Sequence, residues 1–392
     1  MNVAIFSDSY LPVLNGVSVS VHTLVAGLRE RGHRVWVFAP AFPGHGDADA
    51  DVVRFPSVLT PWAKNYPLAR PPFRATLRQF RELPIEIVHT HTPFTVGFCG
   101  LRWAESAGLP ILSTYHTLYD RYVHYVPFLT RRYVAYKVAK HTRYYYGRVT
   151  RVITPSRAAA EVLRHHGVTT PIEIIRTGIP TAEPVPKADA RARLGIPRDE
   201  TMLLYVGRLA IEKNLGLLLE CLRRWRITVP NCRLRLVGDG PGRPALESRA
   251  AELGVRERLT VHGQAGHDEV LVYMAAADLF VFPSTSETQG LVIGEAQSMG
   301  LPAVAVRGGG APETIEHGVD GMVVADDPQE FAQAVEAILC NPALRATMSD
   351  NALRSPARIS PEEYVSRIER SYEEVLGARQ QETFTQPTSV HS

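Results

Sequence analysis

Short apolar runs alternate with longer amphipathic stretches along most of this chain. Val3–Ser7 and Arg34–Pro40 have the length and composition of strands, and Ser18–Arg31 between them carries apolar side chains at helical spacing. After a connector at Thr181–Ala190, which contains proline and alanine, the same alternation begins again. Strands that alternate with helices predict parallel sheets covered by helices.

The chain of 392 residues therefore predicts an α/β protein of two domains, residues 1–180 and residues 181–360, with a cleft between them. Helical spacing continues over residues 361–378. Residues 379–392 are polar and lack periodicity, so we expect a disordered tail there.

One segment, residues 279–310, combines the features expected of a ligand site. The pattern predicts an apolar strand over Leu279–Pro283, a polar loop, a helix over Leu291–Met299 and a second strand that runs into three glycines. Glu287 falls in the loop, and Glu295 follows eight positions later on the helix. Because α/β proteins bind ligands at the carboxyl ends of their strands, both carboxylates are expected on a ligand-facing edge, although two solvated glutamates would give the same pattern.

This segment resembles the donor site of the retaining GT-B glycosyltransferases of family 4. The matching features are the Glu287-x7-Glu295 spacing, the strand that ends in Phe-Pro-Ser, the Gly-Leu-Pro helix end and the glycines before Glu313. The resemblance implies a GT-B fold, two Rossmann-like domains facing a central cleft, with a final helix that crosses back onto the first domain. It also implies that Glu287 reaches the hydroxyls of the donor sugar and that Glu295 holds the ribose of the nucleotide. The predicted donor-binding set includes Gly290, Leu291, Gly309 and Gly310.

A pair of cations follows another predicted strand. Met202–Gly207 runs into the sequence GRLAIEKN, so Arg208 and Lys213 are expected at the start of a helix. Two cations there can hold a diphosphate leaving group without a metal, Arg208 by a bidentate fork and Lys213 as a point charge. The pair matches the Gly-Arg and Lys positions of the same family, although two isolated cations would more simply be surface charges. By the same resemblance, the donor-binding set also contains Gly207 and the strand ends beside the nucleotide base, Gly238, His262 and Gly263.

The loop before the first helix contains Asn15 and Gly16. Small residues at a helix N-terminus allow backbone N–H groups and the helix dipole to bind an anion, although Asn-Gly is also a common turn. The surrounding sequence FSDSYLPVLNGVSVSV resembles the N-terminal loop of the family, which lies against the donor diphosphate and the acceptor. Asn15 and Gly16 are therefore predicted to bind the donor.

Three histidines lie at the ends of two predicted strands. His89 and His91 close the first strand, and His116 follows the second. Their composition would suit zinc, but no carboxylate or cysteine accompanies them, so no metal is predicted. The stretches VHTHTPFTVG and STYHTLYDRYVHYVP are similar to the diacylglycerol glucosyltransferases of family 4, in which the histidine matching His116 lies near the sugar C6 hydroxyl and the reacting centre. A hydrogen-bonded core histidine is the alternative for His116.

Two basic stretches occur in the first domain. The predicted helix Phe73–Leu83 carries arginines on one stripe, and Arg131–Arg151 contains seven Lys and Arg and five Tyr in 21 residues. Cations with interfacial aromatic side chains are attracted to an anionic lipid leaflet. A solvated helix face, a domain-packing helix or an RNA-binding surface would show a similar composition, although no RNA-binding motif accompanies it. The predicted acceptor and membrane residues are Arg74, Arg78, Tyr122, Arg131, Arg132, Lys137 and Lys140.

Charge and cysteine content bear on partners and location. Residues 1–180 contain 21 Lys and Arg and 11 Asp and Glu, a net charge of +10, whereas the remainder carries −7. A basic first half favours an anionic surface, and the acidic second half disfavours a nucleic-acid groove. The four cysteines lack metal-ligand or disulfide spacing, and neither a signal peptide nor a membrane span is predicted. We therefore expect a cytoplasmic protein that is peripheral on the inner face of the plasma membrane.

The acidic run in Gly44–Asp51, GHGDADAD, could suggest a manganese site of the Asp-x-Asp type. It follows a Gly/His loop and does not end a buried strand, so a solvated loop tip is expected. No metal and no cofactor are predicted, because the nucleotide sugar is a substrate.

These features predict a retaining, metal-independent hexosyltransferase. The expected reaction transfers glucose from UDP-glucose to a lipid such as 1,2-diacylglycerol, by a front-face displacement in which the leaving diphosphate helps to deprotonate the acceptor. The alternatives are a GDP-mannose-dependent mannosyltransferase acting on a phosphoinositide or glycolipid, and a non-catalytic nucleotide-sugar-binding protein. Arg208 and Lys213 would stabilise the charge that grows on the diphosphate. The predicted catalytic residues are His116, Glu287, Arg208 and Lys213.

Overall fold

The computed structural model describes residues 1–60, 63–125, 129–180, 183 and 185–385. The chain divides into two compact units. Unit 1 contains residues 1–178 and 360–392, and unit 2 contains residues 179–359. These boundaries differ by one or two residues from the predicted ones.

Unit 1 alternates strands and helices. The strands are β1 (Asn2–Phe6), β2 (Arg34–Pro40), β3 (Val52–Phe55), β4 (Ser57–Thr60), β5 (Ala63–Ala69), β6 (Ile87–Thr90), β7 (Ile111–Thr114), β8 (Arg151–Thr154) and β9 (Ile172–Ile174). The helices are α1 (Gly16–Glu30), α2 (Arg74–Glu82), α3 (Thr95–Ala107), α4 (Arg131–Tyr146) and α5 (Arg157–His165). Seven strands form a parallel sheet in the order β3-β2-β1-β6-β7-β8-β9, and β4 and β5 pair as an antiparallel hairpin.

The core of unit 1 is centred on β1, which is apolar on both faces because helices cover both. Phe6 of β1 stacks on Phe38 of β2 with ring centroids 4.4 Å apart, and Trp103 of α3 meets Phe6 edge to face at 5.9 Å. A Cβ on Gly100 would lie 2.6 Å from the Phe6 ring, so the glycine permits this close packing of α3. The strand order reverses between β1 and β6, and such a switch point is where sheets of this type bind ligands.

Unit 2 repeats the plan. Its strands are β10 (Thr201–Val206), β11 (Cys232–Val237), β12 (Leu259–Gly263), β13 (Leu279–Phe282), β14 (Ala303–Val306) and β15 (Gly321–Val324). Its helices are α6 (Lys187–Leu194), α7 (Leu215–Thr228), α8 (Arg243–Glu252), α9 (His267–Ala276), α10 (Leu291–Ser298), α11 (Pro328–Leu339) and α12 (Pro342–Leu353). The strands are all parallel, in the order β12-β11-β10-β13-β14-β15, so the switch point lies between β10 and β13.

The chain returns to unit 1 through α13 (Pro361–Thr385), which packs on α1. Tyr364 Oη lies 3.1 Å from Ser20 Oγ in this buried contact. The helix continues through residues 379–385, which the sequence assigned to a disordered tail. Those residues include arginine, glutamine and glutamate, which favour helix even where an apolar period is missing. Residues 386–392 of the predicted tail lie outside the described residues.

Candidate functional site

Two charged side chains from distant parts of the sequence meet at the switch point of unit 2. After β10, a 3-10 turn at Ile211–Lys213 places Lys213 in a largely buried position. Its Nζ forms an ion pair with Oε1 of Glu287, which lies in the loop after β13. Because β10 and β13 are adjacent in the sheet, residues 74 positions apart come into contact.

The loop that carries Glu287 is held from several directions. Ser284 Oγ donates to Glu287 Oε1 at 3.3 Å, and the Gly310 N–H donates to the Glu287 carbonyl oxygen at 2.7 Å. Gly309 has a φ of +61°, and a Cβ there would lie 2.5 Å from the same carbonyl oxygen. The glycines after β14 therefore pack backbone against backbone and fix the glutamate loop. The N–H of Gly310 is thus bonded within the loop, and the predicted donor contact of Gly310 stays a prediction.

Glu295 lies on α10 and is partly buried. Burial raises the pKa of its carboxyl group, and His267 opposes part of that shift. Within the part of the chain that the structure describes, no donor is hydrogen-bonded to this carboxylate. A partly buried carboxylate without a partner is costly unless a ligand supplies donors. Glu295 is therefore suited to bind hydroxyl groups such as those of a ribose.

Three glycines bring the ends of β10, β11 and β12 together. The Gly207 N–H donates to the Val237 carbonyl at 3.0 Å, and the Gly238 N–H donates to the Gly263 carbonyl at 2.7 Å. A Cβ on Gly238 would lie 2.0 Å from the Gly207 oxygen, so this approach requires glycine. The three strand ends form a close-packed backbone surface at the carboxyl edge of the sheet.

The other predicted residues of unit 2 lie at the same edge. Arg208 follows β10 with an exposed side chain, and its carbonyl accepts a hydrogen bond from Tyr205 Oη at 3.2 Å. His262 is exposed at the end of β12, and its Nδ1 lies 3.0 Å from Tyr273 Oη. Gly290, with a φ of +74°, precedes α10, and Leu291 is the first residue of that helix. The predicted donor-binding residues of unit 2 thus all lie at or after the carboxyl ends of its strands.

In unit 1 the three histidines lie close together at the switch-point side of the sheet. His91 Nδ1 lies 2.9 Å from His116 Nε2, and the ring of His89 lies beside that of His91 with centroids 4.1 Å apart. Burial lowers the pKa of His116 to about 4 and that of His89 to about 3. Both rings are therefore neutral at physiological pH. Among the described residues, no group of three or more His, Cys, Asp or Glu side chains is arranged to hold a metal ion.

Asn15 has a structural role that the sequence analysis did not predict. Its Oδ1 accepts hydrogen bonds from the N–H groups of Val17 and Ser18, both at 3.0 Å, and Ser18 Oγ accepts from the Asn15 N–H at 2.9 Å. This reciprocal capping box begins α1. The side-chain oxygen and the N–H of Asn15 are thus committed to the helix cap, and the predicted donor contact of Asn15 stays a prediction. The N–H of Gly16 has no acceptor among the described residues, so its predicted contact stays a prediction.

Asp8 is a partly buried residue that the sequence analysis missed. Its carboxylate accepts from the Val96 N–H at 2.9 Å, from the Gly97 N–H at 3.3 Å and from Thr92 Oγ1 at 2.6 Å. Burial raises the pKa of the carboxyl group, and these three hydrogen bonds oppose the shift. Asp8 therefore caps α3 from the loop after β1. The sequence feature that could have revealed this role is a single acidic residue shortly after the apolar strand β1.

The basic face of α4 is exposed, but it is smaller than predicted. Tyr145 and Tyr146 are buried in the core, Arg148 pairs with Glu105 at 2.7 Å, and Arg151 lies in β8. Arg131, Arg132, Tyr133, Tyr136, Lys137 and Lys140 are exposed. On α2, Arg74 and Arg78 are also exposed, whereas Tyr122 is partly buried in a 3-10 helix. No helix within the described residues is long and apolar enough to cross a bilayer.

The acidic run at residues 44–51 lies in a mostly exposed loop, as predicted, and two of its acids form ion pairs. Asp47 pairs with Arg54 at 2.5 Å, and this hydrogen-bonded contact lowers the pKa of Asp47. Asp49 pairs with Arg29 of α1 at 2.5 Å. The acids therefore brace the loop against β3 and α1.

Comparison with known proteins adds to this geometry. Residues 14–183 match the model of Glycosyltransferase Family 4, and residues 186–355 match that of Glycosyl transferases group 1. The chain is 31% identical to the alpha-monoglucosyldiacylglycerol synthase of Acholeplasma laidlawii, over 96% of this chain and 98% of that protein. It is 29% identical to a GDP-mannose-dependent alpha-mannosyltransferase of Corynebacterium glutamicum, over 86% of this chain and 81% of that protein.

Solved structures with the same fold are more distant in sequence. A sucrose-phosphate synthase of Thermosynechococcus elongatus superposes with a TM-score of 0.78 at 24% identity, covering 96% of this chain and all of that one. HepE of Anabaena in complex with UDP-glucose superposes with a TM-score of 0.75 at 20% identity, covering 95% and 100%. Two parallel-sheet units of this kind constitute the predicted GT-B fold. Together with the family matches, they show that the chain belongs to family 4 of the glycosyltransferases and is itself a glycosyltransferase of the GT-B fold.

Proposed function

We propose that the chain transfers glucose from UDP-glucose to a diacylglycerol, with retention of configuration and without a divalent metal. The observation that carries the proposal is the Lys213–Glu287 ion pair at the switch point of unit 2. It is supported by the carboxylate of Glu295, which accepts no hydrogen bond from the described residues. The chain is also similar over nearly its whole length to a monoglucosyldiacylglycerol synthase.

The two glutamates provide acceptors for different parts of the donor. Glu295 accepts hydrogen bonds from the ribose hydroxyls, which compensate its burial. Glu287 accepts from hydroxyls of the transferred glucose, and its negative charge stabilises the positive charge that develops at the anomeric carbon. UDP-glucose is the assigned donor for two reasons. The structurally similar HepE binds UDP-glucose, and the similar enzyme of Acholeplasma laidlawii is a monoglucosyldiacylglycerol synthase.

The cations at the end of β10 stabilise the leaving group. Arg208 and Lys213 supply two positive charges where the diphosphate becomes more negative as the glycosidic bond breaks. Lys213 exchanges part of its contact with Glu287 for a phosphate oxygen when the donor binds. With charge supplied by side chains, the reaction proceeds without a divalent ion. The leaving diphosphate accepts the acceptor proton on the face where the acceptor attacks, which retains the configuration.

The acceptor is assigned to unit 1. His116 is neutral and contacts the sugar near the reacting centre, as the family resemblance implies. The exposed cations and tyrosines of α4, together with Arg74 and Arg78 of α2, bind an anionic membrane surface and bring the enzyme to its lipid acceptor. The protein is thus peripheral on the cytoplasmic face of the membrane. Tyr122 contacts the lipid acceptor in this proposal.

Transfer of mannose from GDP-mannose to a lipid is the second candidate. It is favoured by the similarity to a GDP-mannose-dependent alpha-mannosyltransferase over 86% of this chain. Glucose and mannose differ only at C2, so discrimination between them depends on the hydrogen bonds that the site makes to the C2 hydroxyl.

The function is tested by offering purified protein UDP-glucose, UDP-galactose and GDP-mannose with diacylglycerol in mixed vesicles. We expect a glucolipid with an α-linkage by NMR only from UDP-glucose. In thermal-shift assays, UDP at 100 times its dissociation constant should stabilise the protein by about 2.7 kcal/mol, with no stabilisation by GDP. A mannolipid from GDP-mannose, with stabilisation by GDP, would establish the second candidate instead. Binding of nucleotide sugars without any transfer would contradict both.

A further inference from the structure

A buried histidine at the switch point of unit 1 has no role in the proposed function. His91 follows β6 and is fully buried, and its Nδ1 lies 2.9 Å from Nε2 of His116. The other ring nitrogen of His91, Nε2, is buried and has no hydrogen-bond partner in the described part of the chain. The arrangement determines which nitrogen of His116 carries a proton.

Two imidazole nitrogens at hydrogen-bond distance share one proton. Burial lowers the pKa of His91 well below its ordinary value and that of His116 to about 4, so both rings are neutral at physiological pH. A neutral imidazole carries a proton on one nitrogen and a lone pair on the other. Either His116 donates from Nε2 to His91, or His91 donates from Nδ1 to His116.

The two arrangements differ in whether Nε2 of His91 carries a proton. If His116 donates, the proton of His91 must sit on Nε2, where it becomes a buried N–H group without an acceptor. If His91 donates from Nδ1, Nε2 keeps only a lone pair. Buried N–H groups without acceptors are rare in proteins because the lost hydrogen bond to water is not replaced. The second arrangement is therefore the more stable one.

We propose that His91 is a positioning residue that holds His116 in the tautomer protonated at Nδ1. The Nε2 lone pair of His116 accepts from His91, so the proton of the His116 ring lies on Nδ1. A donor suits the oxygen of a sugar hydroxyl, whereas a lone pair would suit a general base. This inference rests on the proposed role of His116 at the reacting centre.

The ring of His91 packs against the ring of His89, which is itself fixed by hydrogen bonds. His89 lies beside it, with the centroids 4.1 Å apart and the planes inclined by 32°. His89 Nδ1 is 2.6 Å from Tyr372 Oη on α13, and His89 Nε2 is 2.7 Å from Thr114 Oγ1 on β7. Because both nitrogens of His89 are bonded, its ring cannot turn freely. The orientation of His116 thus follows from a chain of contacts that starts on α13.

The tautomer of His116 can be read directly. Nitrogen-15 NMR of the full chain labelled at histidine distinguishes protonated from unprotonated ring nitrogens, and His116→Asn identifies the signals of His116. We expect the wild-type protein, without substrate, to carry the His116 proton on Nδ1. A His116 ring protonated at Nε2 would overturn the proposal, whatever the activity of the enzyme.

Two substitutions separate hydrogen bonding from packing. His91→Asn keeps an N–H donor near the position of Nδ1, whereas His91→Leu fills the space without one. We expect the Nδ1–H tautomer of His116 to persist in His91→Asn and to lose its preference in His91→Leu. In glucosyl transfer, kcat should fall about 3- to 10-fold in His91→Leu with an unchanged KM for the donor, and His91→Asn should restore most of the rate.

The outcomes separate this inference from the proposed function. If the tautomer is as expected but His116→Asn transfers glucose at the wild-type rate, His91 still positions His116 and the reacting-centre role of His116 fails. If His116 keeps the Nδ1–H tautomer in His91→Leu, His91 does not set it and the inference is wrong. If circular dichroism shows that His91→Leu does not fold, the proposal is tested by the tautomer of His116 in the wild-type protein alone. A proton on Nδ1 then supports it and a proton on Nε2 overturns it.

Discussion

The ammonium group of Lys213 contacts the carboxylate of Glu287 across 74 residues of sequence, at the switch point of unit 2. Both side chains are mostly buried, with exposed fractions of 11% and 25%. Each charge compensates the desolvation cost of the other, because either charged group alone would lose hydration on burial without gaining a partner. In the proposed reaction a donor diphosphate would compete with Glu287 for Lys213, which would link binding of the leaving group to the state of Glu287.

Removal of the Lys213 charge should affect both binding and chemistry. Lys213→Met keeps the length of the side chain but leaves Glu287 with Ser284 as its side-chain donor. Because a charge-assisted hydrogen bond is worth about 1.5–3 kcal/mol, we expect kcat/KM to fall about 10- to 150-fold, with weaker binding of UDP. Lys187→Met is the control, since Lys187 forms an ion pair with Asp278 outside the site. Equal losses in the two variants would contradict a role of Lys213 in the site.

The ionised carboxylate of Glu295 should lower the folding stability of the protein without ligand. Its pKa is raised by burial above the ordinary value of 4.5, so the ionised carboxylate destabilises the fold above the folded-state pKa. Below pH 4.5 the group is protonated in folded and unfolded states alike, and the cost disappears. Glu295→Gln should therefore unfold at a higher temperature than wild type at pH 7, and the difference should shrink as the pH falls toward 4.5.

Calorimetry without ligand checks this expectation. Glu161→Gln, on the exposed face of α5, provides the control and should leave the unfolding temperature unchanged at both pH values. A Glu295→Gln protein that is less stable than wild type at pH 7 would show that the carboxylate is satisfied within the free protein.

Transfer should not need a divalent metal. The two cations after β10 supply the charge that a metal would bring to the diphosphate. Initial rates should therefore be unchanged after dialysis against EDTA, and added Mn²⁺ or Mg²⁺ should not raise them. Loss of turnover in EDTA with recovery on addition of Mn²⁺ would contradict the assignment of Arg208 and Lys213.

Membrane binding should depend on the charge of α2 and α4. Replacement of Arg74, Arg78, Lys137 and Lys140 by Gln should weaken binding to anionic vesicles and leave UDP binding intact, because each cation near such a surface contributes about 1 kcal/mol. The matched control replaces four exposed arginines of unit 2, Arg193, Arg198, Arg223 and Arg354. Cosedimentation with vesicles measures both proteins. If both bind as the wild type does, the basic faces have no membrane role.

Much of unit 2 follows from local sequence, since strand, loop and helix lengths set where Glu287 and Glu295 lie. β13 begins at the predicted Leu279, and α10 begins at the predicted Leu291. The Lys213–Glu287 contact was not predictable in the same way. It depends on β10 lying beside β13, an order of strands that no local pattern encodes.

Several contacts in unit 1 were not predictable for a similar reason. The capping role of Asn15 depends on the nearby Ser18, which makes the reciprocal bond. Tyr145 and Tyr146 were grouped with an exposed basic face because composition does not separate the two sides of a helix. His91 and Asp8 act through partners from other strands or helices, so their roles appear only in the assembled sheet.

The division of labour between the two glutamates is tested most directly by titrating UDP, which lacks the sugar, into Glu287→Gln and Glu295→Gln by calorimetry alongside initial rates. Glu295→Gln should bind UDP about 10- to 150-fold more weakly, because it loses charge-assisted hydrogen bonds to the ribose. Glu287→Gln should bind UDP at least as well as wild type, because Lys213 is released to the diphosphate, while its kcat falls by a similar factor. If Glu287→Gln loses UDP affinity as severely as Glu295→Gln, or if neither variant changes binding or rate, the assignment of the donor site is wrong.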